Sequence, residues 1–342
     1  MKVPKIDQLH AVMKGEDLEH TPHAVWRHFP VDDLYAERLA KKQLAYNEKF
    51  DSIVMKVSPN GRYCVTDWGC EIDFDEKKLS GSAFCTSYRV KSMDDWTTLE
   101  ELDVNDGMFG EQLKALDLIR EGLKDDTPFV ETIFNPLMIA GKLVEDRKLV
   151  KKTMIENPNA LKEGLKVITK AMIDFSKISV EKGAIGMFIA TQEATYDFLS
   201  EEQYKEFGMK YDLKIMDAIK NKAKFNMIHI HGNNIMFDLI AKNYPTEALN
   251  WHDQLTPPNM AEAFSKFKGV LMGGIEEQKY ILNSKEEELL NSLKETIDSV
   301  NNRRLIIAPG CVIPINVPDD KVEAIVNYLK KTTKINGKRK NV

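Results

Sequence analysis

The chain has 342 residues, 43% of them hydrophobic and 30% charged, with a formal net charge of −5. That length suits one large barrel or two ordinary domains, and the apolar fraction is enough for a large core. The acidic balance offers nucleic acid no general attraction, and no apolar run nears the roughly 20 residues of a membrane helix.

Residues 1–23 begin MKVPKIDQLH, which lacks the apolar core of a secretion signal, and read as a helical lead-in. The first predicted strand is 24–29 (AVWRHF) and the second 52–57 (SIVMKV). Residues 58–127 form a long insertion holding Cys64, Asp67, Trp68, Cys70 and Cys85, expected to cover a barrel mouth. Further strands are predicted at 129–134 (FVETIF), 184–190 (AIGMFIA), 225–231 (FNMIHIH), 248–251 (ALNW), 270–273 (VLMG) and 305–308 (LIIA). Several are apolar at nearly every residue, as a strand covered on both faces should be.

Helical periodicity fills the gaps. Leu161, Leu165, Ile168, Met172 and Phe175 step by four, three, four and three, which makes one apolar stripe. Asn157-Pro158 opens that helix as a cap followed by a first-turn proline. A second stripe runs through Leu289, Leu290, Leu293, Ile297 and Val300. Eight strands alternating with helices predict one α/β domain over 1–342, a (β/α)8 TIM barrel, with an open doubly wound sheet as the alternative. Residues 335–342, with Lys338-Arg339-Lys340, read as a solvated, flexible tail. Four unevenly spread cysteines argue against a disulfide framework and for a reducing cytoplasm.

In such a barrel the chemistry belongs at the carboxyl ends of the strands. His28 ends the first predicted strand and Asn135 the third. Gln192 and Glu193 end the fourth, and His229, His231 and Asn233 the fifth. His252 and Asp253 end the sixth, and Cys311 the eighth. Four of the seven histidines sit at these ends, which packing alone does not explain. His229 and His231 are two apart on a strand, so they share a face. With Cys311 they make a candidate zinc site of three protein ligands and one open position. The plainer alternative is histidines hydrogen-bonded in a polar core, with Cys311 as small apolar filler. A second metal site of Cys64, Cys70 and Cys85 is the minor reading.

The segments IHIHGNN and IIAPGCVIPINVPDDKVEAIV resemble signatures of the uroporphyrinogen decarboxylase superfamily, closest to its zinc-dependent methylcobamide:coenzyme M methyltransferase branch. FLSEEQYKEFGMKYDLKIMDAI resembles that family's helix after the fourth strand. The branch carries H-x-C-G-N and P-G-C, whose histidine and cysteines bind zinc. By that resemblance His229 matches the first ligand and Cys311 the last, while His231 stands in place of the middle cysteine. The decarboxylases carry R-Q-A-G-R-Y early on, where this chain reads VWRHFPVDD. Arg27 stands in for one arginine and the second has no counterpart.

The resemblance implies Zn2+ and a corrinoid supplied in trans by a partner protein, since no D-x-H-x-x-G motif is present. The expected activity is methyl transfer involving a small thiol or methylated substrate. Tetrapyrrole decarboxylation and a non-catalytic binding barrel are the alternatives. Glu193, His252 and Asp253 are candidate catalytic or ligand-orienting groups. Arg27, His28, Tyr63, Trp68, Asn135, Gln192 and Asn233 are candidate substrate contacts.

Overall fold

A computed structural model describes residues 3–75, 77–278, 280–335 and 338–341. Lys5–Lys14 (α1) precedes Ala36–Phe50 (α2), Met55–Lys56 (β1), Tyr63–Thr66 (α3), Glu71–Asp73 (β2), Phe84–Ser87 (β3) and Gly107–Gly122 (α4). Phe129–Phe134 (β4) leads into Pro136–Lys142 (α5), Lys148–Glu156 (α6) and Pro158–Glu181 (α7). Met187–Thr191 (β5) is followed by Glu201–Tyr204 (α8) and, after a π-helical turn, Lys210–Ile219 (α9). The alternation continues with Met227–Ile230 (β6), Phe237–Asn243 (α10), Ala248–Trp251 (β7), Met260–Lys266 (α11) and Val270–Ile275 (β8). Tyr280–Asn283 (α12), Glu286–Ser299 (α13), Leu305–Pro309 (β9) and Asp319–Lys331 (α14) complete it.

Among the described residues the main sheet has seven strands, all parallel, in the order β1-β4-β5-β6-β7-β8-β9. Sequential neighbours joined by helices explain why β4 to β9 are buried at every position. The stripe on α7 is buried throughout, and the Asn157 side chain accepts from Ala160 N behind Pro158, as its sequence predicts.

The predicted strand at 24–29 is where the structure departs. His23 makes a single parallel bridge to Ile307, with Ala24 N donating to Ile307 O and Ile307 N to Pro22 O. On the other side Ile53 N donates to His23 O. The chain at 22–24 is thus bonded toward both edges of the sheet. The ladder stops there because Val25 N donates to a side chain, Ser52 Oγ, and not to a neighbouring strand. The second predicted strand likewise shrinks to Met55–Lys56.

Within 58–127, α4 packs between α2 and α7, while β2 and β3 form an antiparallel hairpin whose loop carries Ser80 and Ser82 to a cavity described below. Thr332–Ile335 (β10) pairs antiparallel with Lys338–Asn341 (β11), where the sequence reads as a loose tail. Asn336, Gly337 and Val342 of that predicted tail lie outside the described residues. No described helix is long and apolar enough to cross a membrane.

Candidate active site

Side chains on alternate positions of β6 and β7 point inward at the carboxyl ends of the sheet. His229 sits on β6, His231 just beyond it, His252 just beyond β7 and Cys311 just beyond β9. Donor atoms of these four residues all lie within 4.8 Å of one another, and they form the one such metal-type cluster among the described residues. The turn at Gly310 makes this convergence possible. A Cβ there would meet His252 Cα at 2.9 Å and Trp251 O at 3.1 Å, so only glycine lets the Cys311 turn approach so closely.

The neighbours of the ring nitrogens decide which atoms face the centre. Asn250 Nδ2 donates to Met272 O and Pro309 O, each at 3.0 Å, which leaves its Oδ1 as an acceptor. His229 Nδ1, 2.7 Å away, therefore carries the proton, and its Nε2 presents a lone pair. That Nε2 is buried with no hydrogen-bond partner among the described residues. His252 Nδ1 lies 2.9 Å from Glu277 Oε1, in an off-line contact, while Glu277 Oε2 accepts from Gly310 N at 3.0 Å. His252 Nε2 is then 3.1 Å from His231 Nδ1, which is 3.8 Å from Cys311 Sγ. Three imidazole nitrogens and one thiolate suit zinc by type and number, and a buried lone pair without a proton donor is what a metal ion would satisfy.

Charge follows the same geometry. Burial pushes the Cys311 thiol up, but His229, His231 and His252 outweigh it and hold the thiol well below its ordinary range. Burial opposes the His252 imidazolium, yet Cys311 and Glu277 prevail and push it up to about 10.

Three of the donors, His229, His231 and Cys311, line a cavity of about 270 Å³, which His28, Lys56, Lys142, Phe188 and Gln192 also line. Lys56 is 4% exposed; its Nζ reaches Ser58 Oγ at 3.2 Å and lies 4.7 Å from the Phe188 ring. Lys142 donates to Gly61 O at 2.9 Å over the Phe134 ring. Burial lowers both ammonium groups to about 8, and neither is ion-paired with a carboxylate among the described residues. His28, held to about 4 chiefly by burial and next by Lys56, faces them as a neutral ring.

Several predicted contacts are placed elsewhere. Arg27 donates to Val317 O at 3.0 Å, meets Asp319 at 3.3 Å and covers the Tyr46 ring, tying down the start of α14. Glu193 is buried against Arg147 at 3.3 Å and is not among the clustered donors. Asp253 accepts from Gly274 N and Gln254, so Glu277 takes the role expected of it beside His252. Tyr63 packs on Phe109 and Phe175 and bonds Thr132 O, while Trp68 bonds Glu100 O within the insertion. Asp67 accepts from Met108 and Phe109 at the start of α4. Asn135 caps α5, and the Asn233 carbonyl accepts from Thr195. Cys64, Cys70 and Cys85 are buried free thiols outside the donor cluster.

The sequence reading missed Asn250, Glu277, Lys56 and Lys142. Lys56 and Asn250 did leave a signal, each being a polar residue inside an otherwise apolar strand run. Glu277 and Lys142 left none.

A curled parallel sheet with a histidine–cysteine donor cluster and a small cavity at its strand ends defines an enzyme site of the barrel-mouth kind. Residues 64–332 match the uroporphyrinogen decarboxylase family, to which this chain belongs. A methylcobamide:CoM methyltransferase, MtaA, from Methanosarcina barkeri (strain Fusaro) is 24% identical over 270 residues, covering 77% of this chain and 76% of the relative. A uroporphyrinogen decarboxylase from Campylobacter lari is 27% identical over 215 residues, covering 60% and 61%. A solved methyltransferase from Methanosarcina mazei shares the fold, with a TM-score of 0.82 at 21% identity over 95% of this chain and 98% of that one. Within its family the protein stands with the methyltransferase branch and is an enzyme of that class.

Proposed function

We propose that this enzyme moves a methyl group between a corrinoid carried by a separate protein and a small sulfur compound, at a zinc ion held by His229, His231, His252 and Cys311. The observation that carries this reading is the convergence of four donors, within 4.8 Å of one another, around the buried Nε2 of His229. Zinc, when bound, supplies Lewis acidity that keeps a coordinated sulfur deprotonated at neutral pH. Asn250 holds His229 in the tautomer that ligation needs, and the Glu277 carboxylate lies against His252 on the side away from His231. Lys56 and Lys142 hold positive charge in the wall of the same cavity, so the substrate they fit carries an anionic end. Phe188, stacked on His229, gives the reacting end an apolar side. As to architecture, we read the sheet as a (β/α)8 barrel whose first strand is reduced to the His23 bridge; cytoplasmic residence fits the reduced thiols.

Two rivals fare worse. A tetrapyrrole with eight carboxylates needs several cationic partners and far more room than about 270 Å³, and Arg27 is committed to α14. A binding barrel without chemistry has no need to gather a thiolate and three imidazoles.

The test is metal content with a matched assay. Tag-free protein should hold about one zinc per chain and demethylate methylcobalamin in the presence of coenzyme M, faster than with uncharged 2-mercaptoethanol. His229→Ala and Cys311→Ala should lose both. A metal-free native protein that decarboxylates a tetrapyrrole would sink this reading.

A further inference from the structure

The four donors are not held alike. His229 is 4% exposed, stacks on Phe188 with ring centroids 5.5 Å apart, and is fixed at Nδ1 by Asn250. His252 is 6% exposed, backed by Glu277, and is not among the residues lining the cavity. Cys311 contributes the only formal charge of the set and sits on a turn pinned by Gly310 N to Ile275 O at 3.2 Å. His231 differs in its backing. Like Cys311 it is half-buried and lines the cavity, but its ring meets only the other donors, His252 at 3.1 Å and Cys311 at 3.8 Å among hydrogen-bond contacts of the described residues. No carboxylate, amide or carbonyl among them steadies its second nitrogen. The next residue, Gly232, has φ +114 and open space around it, the nearest atom to a built Cβ being Thr195 Cγ2 at 4.0 Å.

Resting on the zinc reading above, we propose that His231 is the exchangeable ligand: an incoming thiol sulfur takes its place, while His229, His252 and Cys311 keep the metal. A ligand without an outer partner binds more weakly than buttressed ones, since outer-shell partners contribute about 10–100-fold in metal affinity. A neutral imidazole also leaves without removing charge from the centre, whereas loss of Cys311 would strip a thiolate from it. In the exchange the bond from the metal to His231 nitrogen breaks and one to the substrate sulfur forms. The thiol proton passes to water at the open side of the cavity, and no electron changes hands. The released ring turns about its own Cα–Cβ bond into the open space beside Gly232. The half-exposed residue thus serves as a gate that keeps the metal four-coordinate until substrate arrives.

X-ray absorption on the zinc-loaded native protein reads this directly, with 2-mercaptoethanol as the probe. The metal should go from three nitrogens and one sulfur to two of each as the thiol saturates. His231→Ala should keep zinc to within about tenfold in affinity and bind the thiol about tenfold more tightly, because no ligand has to leave first. His252→Ala should lose zinc affinity about 10–100-fold. Retention of all three nitrogens after thiol addition overturns the proposal and leaves the zinc site intact. So does loss of zinc from His231→Ala as complete as from His229→Ala. A native protein without zinc overturns the functional reading itself.

Discussion

Asn250 Oδ1 lies 2.7 Å from His229 Nδ1, and the two carbonyls that take up the Asn250 amide leave that oxygen no role except acceptor. One amide on β7 therefore fixes the tautomer of a ring on β6. Asn250→Ala should lower zinc affinity about 10–100-fold while the fold persists, measured by competition with a chromogenic chelator. Unchanged affinity would mean that His229 needs no partner.

Glu277 sets a carboxylate oxygen 2.9 Å from His252 Nδ1, an ion-pair contact, and its other oxygen accepts from Gly310 N, so it links the third imidazole to the cysteine turn. Glu277→Gln keeps an acceptor but removes the charge and should cost about tenfold in zinc affinity; Glu277→Ala should cost more. Asp253→Asn, by contrast, should leave metal binding alone, because Asp253 bonds Gly274 and Gln254 instead.

Lys56 and Arg27 separate recognition from architecture. Lys56→Met should raise KM for an anionic thiol at least about tenfold, leave zinc content unchanged and not reduce stability, since it removes a buried charge. Arg27→Ala should leave KM and kcat within about twofold. It should lower stability by roughly 1–2 kcal/mol, seen as a lower Tm, through loss of the bond to Val317 O and the Tyr46 contact.

Asp33 gives a pH signature independent of the site. Burial raises its carboxyl to about 7, with the hydrogen bond from Asn60 acting against that rise, and Oδ2 has no hydrogen-bond partner among the described residues. Between the unfolded value near 4 and the folded value near 7, the folded chain holds a proton that the unfolded chain has lost. Stability from this group therefore falls as pH rises across that window and levels off above it. Asp33→Asn should remove that slope and stabilise the protein at pH 8 by roughly 1–3 kcal/mol. An unchanged pH profile of Tm would show that Asp33 is ionised throughout.

Much of this molecule is legible along the chain. The apolar runs that became β4 to β9 and the stripe on α7 are set by local periodicity, because a strand or helix buried on known faces must repeat its apolar residues. His229 and Cys311 stand out for a related reason: few residue types do metal chemistry, and these end two such runs. The partners of those residues are a different matter. Glu277 meets His252, and Asn250 meets His229, across separate strands whose register no local pattern encodes. Arg27 and Glu193 sit at the predicted strand ends, yet their side chains turn to Val317 and Arg147 once helices pack around them. The sequence by itself determined the order of elements and the kinds of atom available for chemistry, because both are local properties. The tertiary structure alone decided which donors converge, which nitrogen each ring presents and how small the cavity is, because these depend on contacts between residues far apart in the chain.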